Sequence, residues 1–518
     1  MTAEAPSVPE SATATATSTR WWTLAVACVA TFMLMLDVTV VNVALPDIRR
    51  SLNAEFSGLQ WVIDAYTLAL AAFLMTGGSL ADRLGRKRVF GAGLVVFTLA
   101  SLSAGAAADM LALNISRGLQ GVGAAVLFAV APALIAQEFS GKERGAAFGI
   151  FGAVAGLALA FGPALGGLLA VGDWRWIFFV NVPIGIVLLV LSALRLRETR
   201  APGGHGVDWL GVVLFGVALA LIVLGFLRGE TLGWGSAAVV SMFVAGLVSL
   251  IAFVVVERGR GDAAMLDLSL FRNVTFVGIS AATFLSNATS LAAIFIEVSY
   301  LQNILGYSPL EAGIRLLPLT LVLFVVAAIT GGIVGKVAPN ILIGLSIALI
   351  AAGMGLIVLV EPSSSWTALL PSMVVMGVGM GMFNPPRSIV SVGVAEPAKA
   401  GMATGIGETF QQVGVAIGVA GFGALFQGQV IARFQESELG ASLGDEATDL
   451  GRAIAAGNQL PAVARPGVSE KIAATAREAF VHSFTSVMVV CAIVCAIGAA
   501  IAFLFIRTRD LHVSAAAE

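Results

Sequence analysis

The stretch Gly78-Ser-Leu-Ala-Asp82-Arg83-Leu-Gly85-Arg86-Lys87-Arg88 connects two apolar runs, residues 59–80 and 89–107. Each run has about the 20 residues that an α-helix needs to cross the hydrocarbon core of a bilayer. The connection is crowded with arginine and lysine, and short connections rich in these residues stay on the cytoplasmic side of a membrane. The stretch therefore predicts a tight cytoplasmic turn between two transmembrane helices.

The composition extends this prediction to an all-α integral membrane protein. Of 518 residues, 58% are hydrophobic and 12% are charged, whereas about a quarter of a soluble chain is charged. A net charge of -2 gives no field that attracts a polyanion, so nucleic acid is excluded as a partner. The cysteines Cys28, Cys491 and Cys495 lie in apolar runs away from histidines and acids, so we expect no metal site and no cofactor.

Fourteen apolar runs have the length of a membrane span. They are residues 21–45, 59–80, 89–107, 110–135, 146–171, 176–194, 209–227, 234–256, 274–301, 312–334, 341–360, 366–383, 402–426 and 484–506. Lysine and arginine are concentrated in alternate connections, which places both termini in the cytoplasm. The richness in alanine and glycine, with arginine far outnumbering lysine, indicates a bacterial chain and hence the bacterial cytoplasmic membrane.

These runs divide the chain into two bundles with an insertion between them. The predicted units are a disordered cytoplasmic tail (1–19), an N-terminal six-helix bundle (20–200), two inserted transmembrane helices (201–260), a C-terminal six-helix bundle (261–508) and a second cytoplasmic tail (509–518). The C-terminal bundle includes a long polar connection, residues 427–483, which we place outside the cell. An amphipathic helix and partial disorder both fit its composition.

Acidic residues are rare within the predicted spans, where only Asp37, Asp64, Glu297 and Glu408 occur. An aspartate at a helix centre costs about 2.5–3.5 kcal/mol in a membrane, so such residues usually serve function, although a neighbouring helix can also satisfy them structurally. Asp37 and Arg117 lie at roughly 12 and 10 Å below the outer boundary at a rise of 1.5 Å per residue. Because they share a level, we expect them to pair.

The basic turn has the spacing G-x-L-x-D-R-x-G-R-[KR], which resembles the signature between helices 2 and 3 of the major facilitator superfamily. The resemblance implies the fold of that superfamily, here with 14 transmembrane helices. It also implies that the turn helps to latch the cytoplasmic side of the protein. The predicted latch residues are Gly78, Asp82, Arg83, Gly85 and Arg86.

Three further stretches resemble the fourteen-span drug:proton antiporters of that superfamily. The segment from Leu36 to Pro46 is similar to their first-helix signature, and Arg117-Gly-Leu-Gln120-Gly121-Val-Gly123 is similar to a fourth-helix motif associated with proton coupling. On the fifth span, small residues and a proline allow close packing and a bend. The residues that resemble the glycine–proline motif of antiporters are Gly156, Gly162, Pro163, Gly166 and Gly167.

The resemblance implies a proton-coupled antiporter that exports lipophilic and often cationic drugs by alternating access, with substrate bound near the midplane. We expect Asp37 and Arg117 to form the coupling site, and Asp64, Glu297 and Glu408 to serve cation recognition or further protonation. The expected partners are small lipophilic or cationic substrates, protons and the lipid bilayer, and we expect a monomer. An enzyme is not expected, because the chain has no complete phosphate-binding loop and no nucleophile–base set. A proton-driven importer of the same fold and a non-transporting membrane sensor are the alternatives.

Overall fold

Every regular element in the described part of the chain is helical, and that part holds no β-strand. The computed structural model describes residues 10–52, 56–139, 141–170, 173–200, 208–260, 266, 268–395, 400–443, 447, 450–451, 454 and 468–511. The predicted all-α class is therefore found.

The long helices follow the predicted spans in order. They are α1 (Glu10–Ser51), α2 (Phe56–Leu84), α3 (Arg86–Gly105), α4 (Met110–Glu138), α5 (Gly141–Ala170), α6 (Asn181–Arg195), α7 (Trp209–Leu232), α8 (Ala237–Arg260), α9 (Val274–Ser299), α10 (Leu317–Ile333), α11 (Pro339–Leu356), α12 (Leu370–Gly393), α13 (Ala400–Glu436) and α14 (Val468–Phe505). Short helical segments precede α6 (Trp176–Phe179) and α10 (Pro309–Arg315), and another follows α13 (Glu438–Leu443).

Among the described residues, 12 helices are long and apolar enough to cross a membrane. The two predicted spans outside this set correspond to α5, which is 30 residues long, and α10, which is apolar but has only 17 residues. Both occur at the predicted places in the chain. The number of fourteen crossings stays a prediction.

The helix bounds differ from the predicted ones at both ends of the chain. α1 begins at Glu10, so residues 10–19 are helical where we expected a disordered tail, while residues 1–9 and 512–518 lie outside the described residues. In the long connection, α13 continues to Glu436 and α14 begins at Val468. Much of the predicted outer connection is therefore an extension of the two flanking helices.

α12 runs ten residues beyond the end that we predicted at Phe383. The sequence Asn384-Pro-Pro-Arg387 indicates a helix end, since proline removes a backbone donor and arginine is costly in a membrane. The structure nevertheless places Pro385 and Pro386 inside the helix. Arg387 is thereby buried within α12 rather than exposed in the cytoplasmic connection that a span end at Phe383 predicts, which corrects that prediction.

Glycines allow the helices of each bundle to pack backbone to backbone. A Cβ atom at Gly121 of α4 would overlap the carbonyl oxygen of Tyr66 on α2, and one at Gly418 of α13 would overlap that of Ala288 on α9. The two bundles meet where α5 contacts α10 and α12 and where α2 contacts α13. Small residues at such contacts let membrane helices approach closely.

The inserted helices α7 and α8 lie beside the junction of the bundles. Gly216 of α7 faces Ala72 of α2, and Phe226 of α7 faces Gly421 of α13. α8 packs on α7 and turns a stripe of large apolar side chains outward, as expected of a surface in contact with lipid. The exposed stripe consists of Val240, Val244, Leu247, Val248, Ile251 and Val255.

Candidate functional site

A buried polar network centres on the carboxylate of Asp37, where α1, α4 and α6 meet. Arg117 Nη1 donates to Asp37 Oδ2 at 2.5 Å, and the two side chains are 2% and 1% exposed. Gln120 Nε2 and Asn181 Nδ2 donate to Asp37 Oδ1 at 3.1 and 3.0 Å. The pair that we predicted from depth is present, and both carboxylate oxygens accept hydrogen bonds.

Ser101 of α3 joins this network through Gln120 and Asn181. Its hydroxyl oxygen accepts from Gln120 Nε2 at 2.9 Å and from Asn181 Nδ2 at 3.0 Å. The same hydroxyl donates to the carbonyl oxygen of Phe178 at 2.9 Å. Five buried polar side chains on four helices therefore share one set of hydrogen bonds, which compensates much of the cost of burying them.

The guanidinium of Arg117 is held by more than its ion pair. Its Nε donates to the carbonyl oxygen of Val62 on α2 at 3.0 Å, and its Nη1 also donates to Gln120 Oε1 at 2.9 Å. The ring of Tyr66 stacks against the guanidinium, with the centroid 4.3 Å from Cζ. Among the described groups, the Tyr66 hydroxyl and Asn181 Oδ1 are buried without a hydrogen-bond partner. The network thus has unused hydrogen-bonding capacity beside the ion pair.

The glycine–proline motif of α5 packs directly on the part of α1 that carries Asp37. A Cβ atom at Gly162 would overlap Thr39 Oγ1, and one at Gly166 would lie 3.1 Å from Val40 Cα. The predicted close packing is therefore found at these two glycines. Gly156, Pro163 and Gly167 lie on α5, but their side-chain surroundings fall outside what the structure describes.

Asp64 pairs with an arginine that we did not predict. Arg228 Nη2 of the inserted helix α7 lies 2.9 Å from Asp64 Oδ2, with side chains 12% and 10% exposed. The ring of Trp61 covers the guanidinium, with its centroid 4.9 Å from Cζ. Arg228 directly follows the apolar run 209–227. Its position at the end of a predicted span is the sequence signal that could have identified it. Asp64 therefore lies at the contact with α7 and not in the Asp37 network.

Glu408 also pairs with an arginine from another helix. Arg387 Nη2 of α12 donates to Glu408 Oε1 of α13 at 2.7 Å, and the two side chains are 6% and 10% exposed. Sequence reasoning missed Arg387 because we ended the span before the two prolines.

Glu297 differs from the other acids, since it is fully buried and neither carboxyl oxygen has a hydrogen-bond partner among the described residues.

The predicted latch residues form a compact turn at the end of α2. Asp82 Oδ1 accepts from Arg86 Nε at 3.0 Å and from Arg86 Nη2 at 2.8 Å. Gly85 has a φ of 109°, a conformation that favours glycine, and a Cβ there would collide with Glu198. Glu198, which follows α6, accepts from the backbone N–H of Lys87 at 3.2 Å. Its role in the turn was not visible in the sequence.

The other two latch residues stand at the end of α2. Gly78 faces Ala129 of α4, with a Cβ position 3.9 Å from that side chain, and Arg83 lies in the last turn of the helix. The hydrogen bonds described above for Asp82, Arg86 and Glu198 all join parts of the N-terminal bundle. Closure of the cytoplasmic side by these residues stays a prediction.

Known proteins match the chain over most of its length. The sequence model of the Major Facilitator Superfamily matches residues 27–208 and 209–419. The puromycin resistance protein pur8 of Streptomyces alboniger is 38% identical over 77% of this chain and 80% of its own. The multidrug resistance protein Stp of Mycobacterium tuberculosis is 34% identical over 76% of this chain and 73% of its own.

Solved structures share the same architecture at low sequence identity. A bacterial homologue of the human lysosomal transporter Spinster, in an inward-facing and occupied conformation, superposes with a TM-score of 0.60 at 17% identity and covers 95% of this chain and 98% of its own. The proton:xylose symporter XylE superposes with a TM-score of 0.57 at 14% identity and covers 92% of this chain and 95% of its own. Family and fold together describe a multi-pass membrane transporter, and the chain belongs to the major facilitator superfamily.

Proposed function

We propose that the protein is a proton-coupled antiporter that exports lipophilic, often cationic, drugs across the bacterial cytoplasmic membrane. The observation that carries the proposal is the buried Asp37 carboxylate, held by Arg117, Gln120 and Asn181 in the first helix of a major facilitator fold. The names of the relatives, which refer to puromycin and multidrug resistance, support drugs as the substrate class. The driving force is the proton gradient, without a cofactor.

In this proposal, protonation of Asp37 changes the contacts of several helices at once. A neutral carboxyl attracts the Arg117 guanidinium less strongly, so Arg117 relies more on Val62 and Gln120. Because the same carboxylate also accepts from Asn181 of α6, the change reaches α2, α4 and α6 together. The buried network therefore converts the gain of one proton into a shift of packed helices.

The packing of α5 offers a route from this network to the other bundle. Gly162 of α5 lies against Thr39, two residues from Asp37, and Gly152 of the same helix lies against Asn384 of α12. A displacement of α1 therefore also changes the contact between α5 and α12, which joins the two halves. Alternating access in this fold is a rocking of one half against the other.

The proton gradient supplies enough free energy for export. One proton carries about 2.3 kcal/mol per 100 mV of membrane potential and about 1.4 kcal/mol per pH unit. Since about 1.4 kcal/mol corresponds to a tenfold ratio, one proton supports a substrate gradient of several hundredfold or more.

We propose further that the chain crosses the membrane fourteen times, has both termini in the cytoplasm and works as a monomer. α5 and α10 lie where two of the fourteen spans were predicted. This supports them as two crossings in addition to the 12 helices that are long and apolar enough to span a membrane. The proposal assigns Glu408 to cation recognition, and Asp64 and Glu297 to further protonation or recognition. The basic turn between α2 and α3 acts as the cytoplasmic latch.

Transport into proteoliposomes with an acidic lumen tests the coupling. Ethidium should accumulate in the lumen as protons leave, and Asp37→Asn should abolish accumulation while ethidium exchange without a gradient continues. Asp47→Asn is the matched control, because Asp47 lies on the same helix with a side chain 38% exposed. Accumulation at the wild-type rate in Asp37→Asn would refute the coupling site, and uptake that requires an alkaline lumen would indicate an importer.

A further inference from the structure

The ion pair between Arg387 and Glu408 is held far less firmly than the one in the N-terminal bundle. The structure shows one hydrogen bond between the two side chains, from Nη2 at 2.7 Å. Arg387 Nε is buried without a hydrogen-bond partner among the described residues. An arginine with an unused buried donor gains less from its site than one whose donors are all satisfied. The pair can therefore be opened at a lower cost than Asp37–Arg117.

The backbone beside Arg387 is also able to move. Pro385 and Pro386 lie inside α12 and have no N–H groups, so the carbonyl oxygens of Gly381 and Met382 lack their usual helical donors. Helices bend most readily at such positions. A small bend at this point would swing Arg387, which directly follows the prolines, relative to Glu408 on α13.

Arg387 stands next to a contact between the two halves. Asn384, one turn earlier on α12, has its Nδ2 3.6 Å from the Cβ position of Gly152 on α5. One turn later, Ser391 Oγ lies 3.5 Å from the Cβ position of Gly407 on α13. A rearrangement of the Arg387–Glu408 pair can therefore alter the contact between α12 and α5. This contact joins the two halves, which move against each other in alternating access.

Buried apolar residues flank the pair in sequence on both helices, together with the buried hydroxyl residues Ser388, Ser391 and Thr409. Phe383 and Val390 on α12 and Ile406 on α13 are buried apolar residues close in sequence to the pair. A delocalised organic cation loses little hydration on entering such a site, and its body adds apolar contacts. The guanidinium of Arg387 is itself a delocalised, weakly hydrated cation. It therefore pairs with the Glu408 carboxylate in the way that a cationic substrate would.

We propose that Arg387 is a built-in counter-ion of Glu408 that a monovalent lipophilic cation displaces during transport. Arg387 thereby sets the affinity of the protein for charged drugs. The inference rests on the proposed function in one respect, namely that the exported drugs include cations. It adds to that function a residue that competes with the substrate for the same carboxylate.

Equilibrium binding of tetraphenylphosphonium to the purified full-length protein tests the competition. Arg387→Gln removes the charge and keeps a hydrogen-bond donor near Glu408, and it should tighten binding on the order of tenfold, as the loss of one competing ionic contact implies. Arg387→Lys keeps a cation and should bind within about threefold of the wild type. Glu408→Gln should weaken binding on the order of tenfold. Thermal unfolding with and without tetraphenylphosphonium gives a second reading, in which the cation stabilises Arg387→Gln more than the wild type.

A merely structural ion pair gives the opposite pattern. Arg387→Gln would then unfold at a lower temperature with an unchanged or weaker affinity for tetraphenylphosphonium, and that result would overturn the proposal, as would absence of binding to every variant. The measurement needs no proton gradient. Failure of proton-driven transport would therefore sink the proposed antiport without touching this result, whereas unchanged affinity in Arg387→Gln would sink only the competition.

Discussion

Two buried arginine–carboxylate pairs, one in each bundle, are built with very different support. Asp37 accepts hydrogen bonds from Arg117, Gln120 and Asn181, and the Asp37 and Arg117 side chains are at most 2% exposed. Glu408 accepts one from Arg387, and these side chains are 10% and 6% exposed. The same chemical pair is thus fully enclosed in one half and loosely held in the other.

If the protein is the proton-driven exporter proposed above, this difference separates the two tasks that it has to perform. A carboxylate that is enclosed by fixed donors leaves no room for a large cation to replace its partners, so the proposed function assigns the proton to it. A carboxylate with one poorly satisfied partner among the described residues can exchange that partner for another cation. In the proposed function, proton coupling therefore belongs to the N-terminal bundle and substrate exchange to the C-terminal bundle, and three changes test this division.

The largest effect is expected from Arg117→Leu. It leaves Asp37 buried without its counter-ion, and breaking such a pair costs about 3–5 kcal/mol. Arg387→Leu should cost less, about 1–3 kcal/mol, because the pair it breaks has one hydrogen bond and retains some exposure. Thermal unfolding of both variants in the same detergent measures the difference.

Paired substitutions supply the control for this measurement. Replacing both members of a buried ion pair is often nearly neutral, and Arg387→Leu with Glu408→Leu should recover most of the lost stability. Arg117→Leu with Asp37→Leu should not, because Gln120 Nε2 and Asn181 Nδ2 then lose Asp37 Oδ1 as an acceptor. Equal recovery in the two halves would remove the distinction on which the comparison rests.

A smaller effect is expected from Gly162→Ala on α5. The added methyl group overlaps Thr39 beside Asp37, and overpacking of this kind costs about 1–3 kcal/mol. We expect proton-driven ethidium transport to fall severalfold, because the N-terminal network is displaced. Transport into proteoliposomes measures the loss.

Two further variants make this result specific. Gly152→Ala on the same helix is the control, because its Cβ position lies at an ordinary 3.6 Å from Asn384. Thr39→Ala should restore part of the transport of Gly162→Ala, since it removes Thr39 Oγ1, the nearest atom, but leaves Thr39 Cβ 2.6 Å from the added methyl group. If both alanine variants lose transport equally, α5 matters for its contact with α12 rather than for its contact with Asp37.

The depth of a residue in its span was enough to pair Asp37 with Arg117. Both residues lie well inside apolar runs, so an error of a few residues at the boundaries does not separate them. The same reasoning could not assign Gln120 and Asn181 to the carboxylate, because a polar residue within a span does not reveal which neighbouring helix it faces. The fold class followed from the basic turn and the apolar runs for a similar reason, since both are local patterns.

Arg387 and Arg228 were missed because each lies just beyond a predicted span end, where a charge or a proline indicates that the helix stops. In the structure the ion pairs to Glu408 and Asp64 compensate those charges, which allows α12 and α7 to continue. The compensating residue lies on another helix, so local sequence carries no sign of it. Helix ends were therefore least predictable where two helices share a charge pair.

The smallest effect is expected at the inserted helices, where Arg228→Gln breaks the contact with Asp64. The two side chains are 12% and 10% exposed, but glutamine keeps a hydrogen-bond donor near Asp64, so we expect a loss of about 1 kcal/mol in the free energy of unfolding. Arg50→Gln is the matched control, because it breaks an exposed pair with Asp47 and should change stability by only a few tenths of a kcal/mol, roughly. Thermal unfolding of the two variants distinguishes these outcomes.

The same variant decides whether exchange is confined to the C-terminal bundle. Trp61 covers Arg228 and α7 closes over Asp64, so a substrate cation has little room to replace the guanidinium. Arg228→Gln should therefore leave the affinity for tetraphenylphosphonium unchanged, in contrast to Arg387→Gln. If the affinity instead rises by a similar factor, Asp64 is a second carboxylate that receives substrate cations, and the division of tasks between the two halves is wrong.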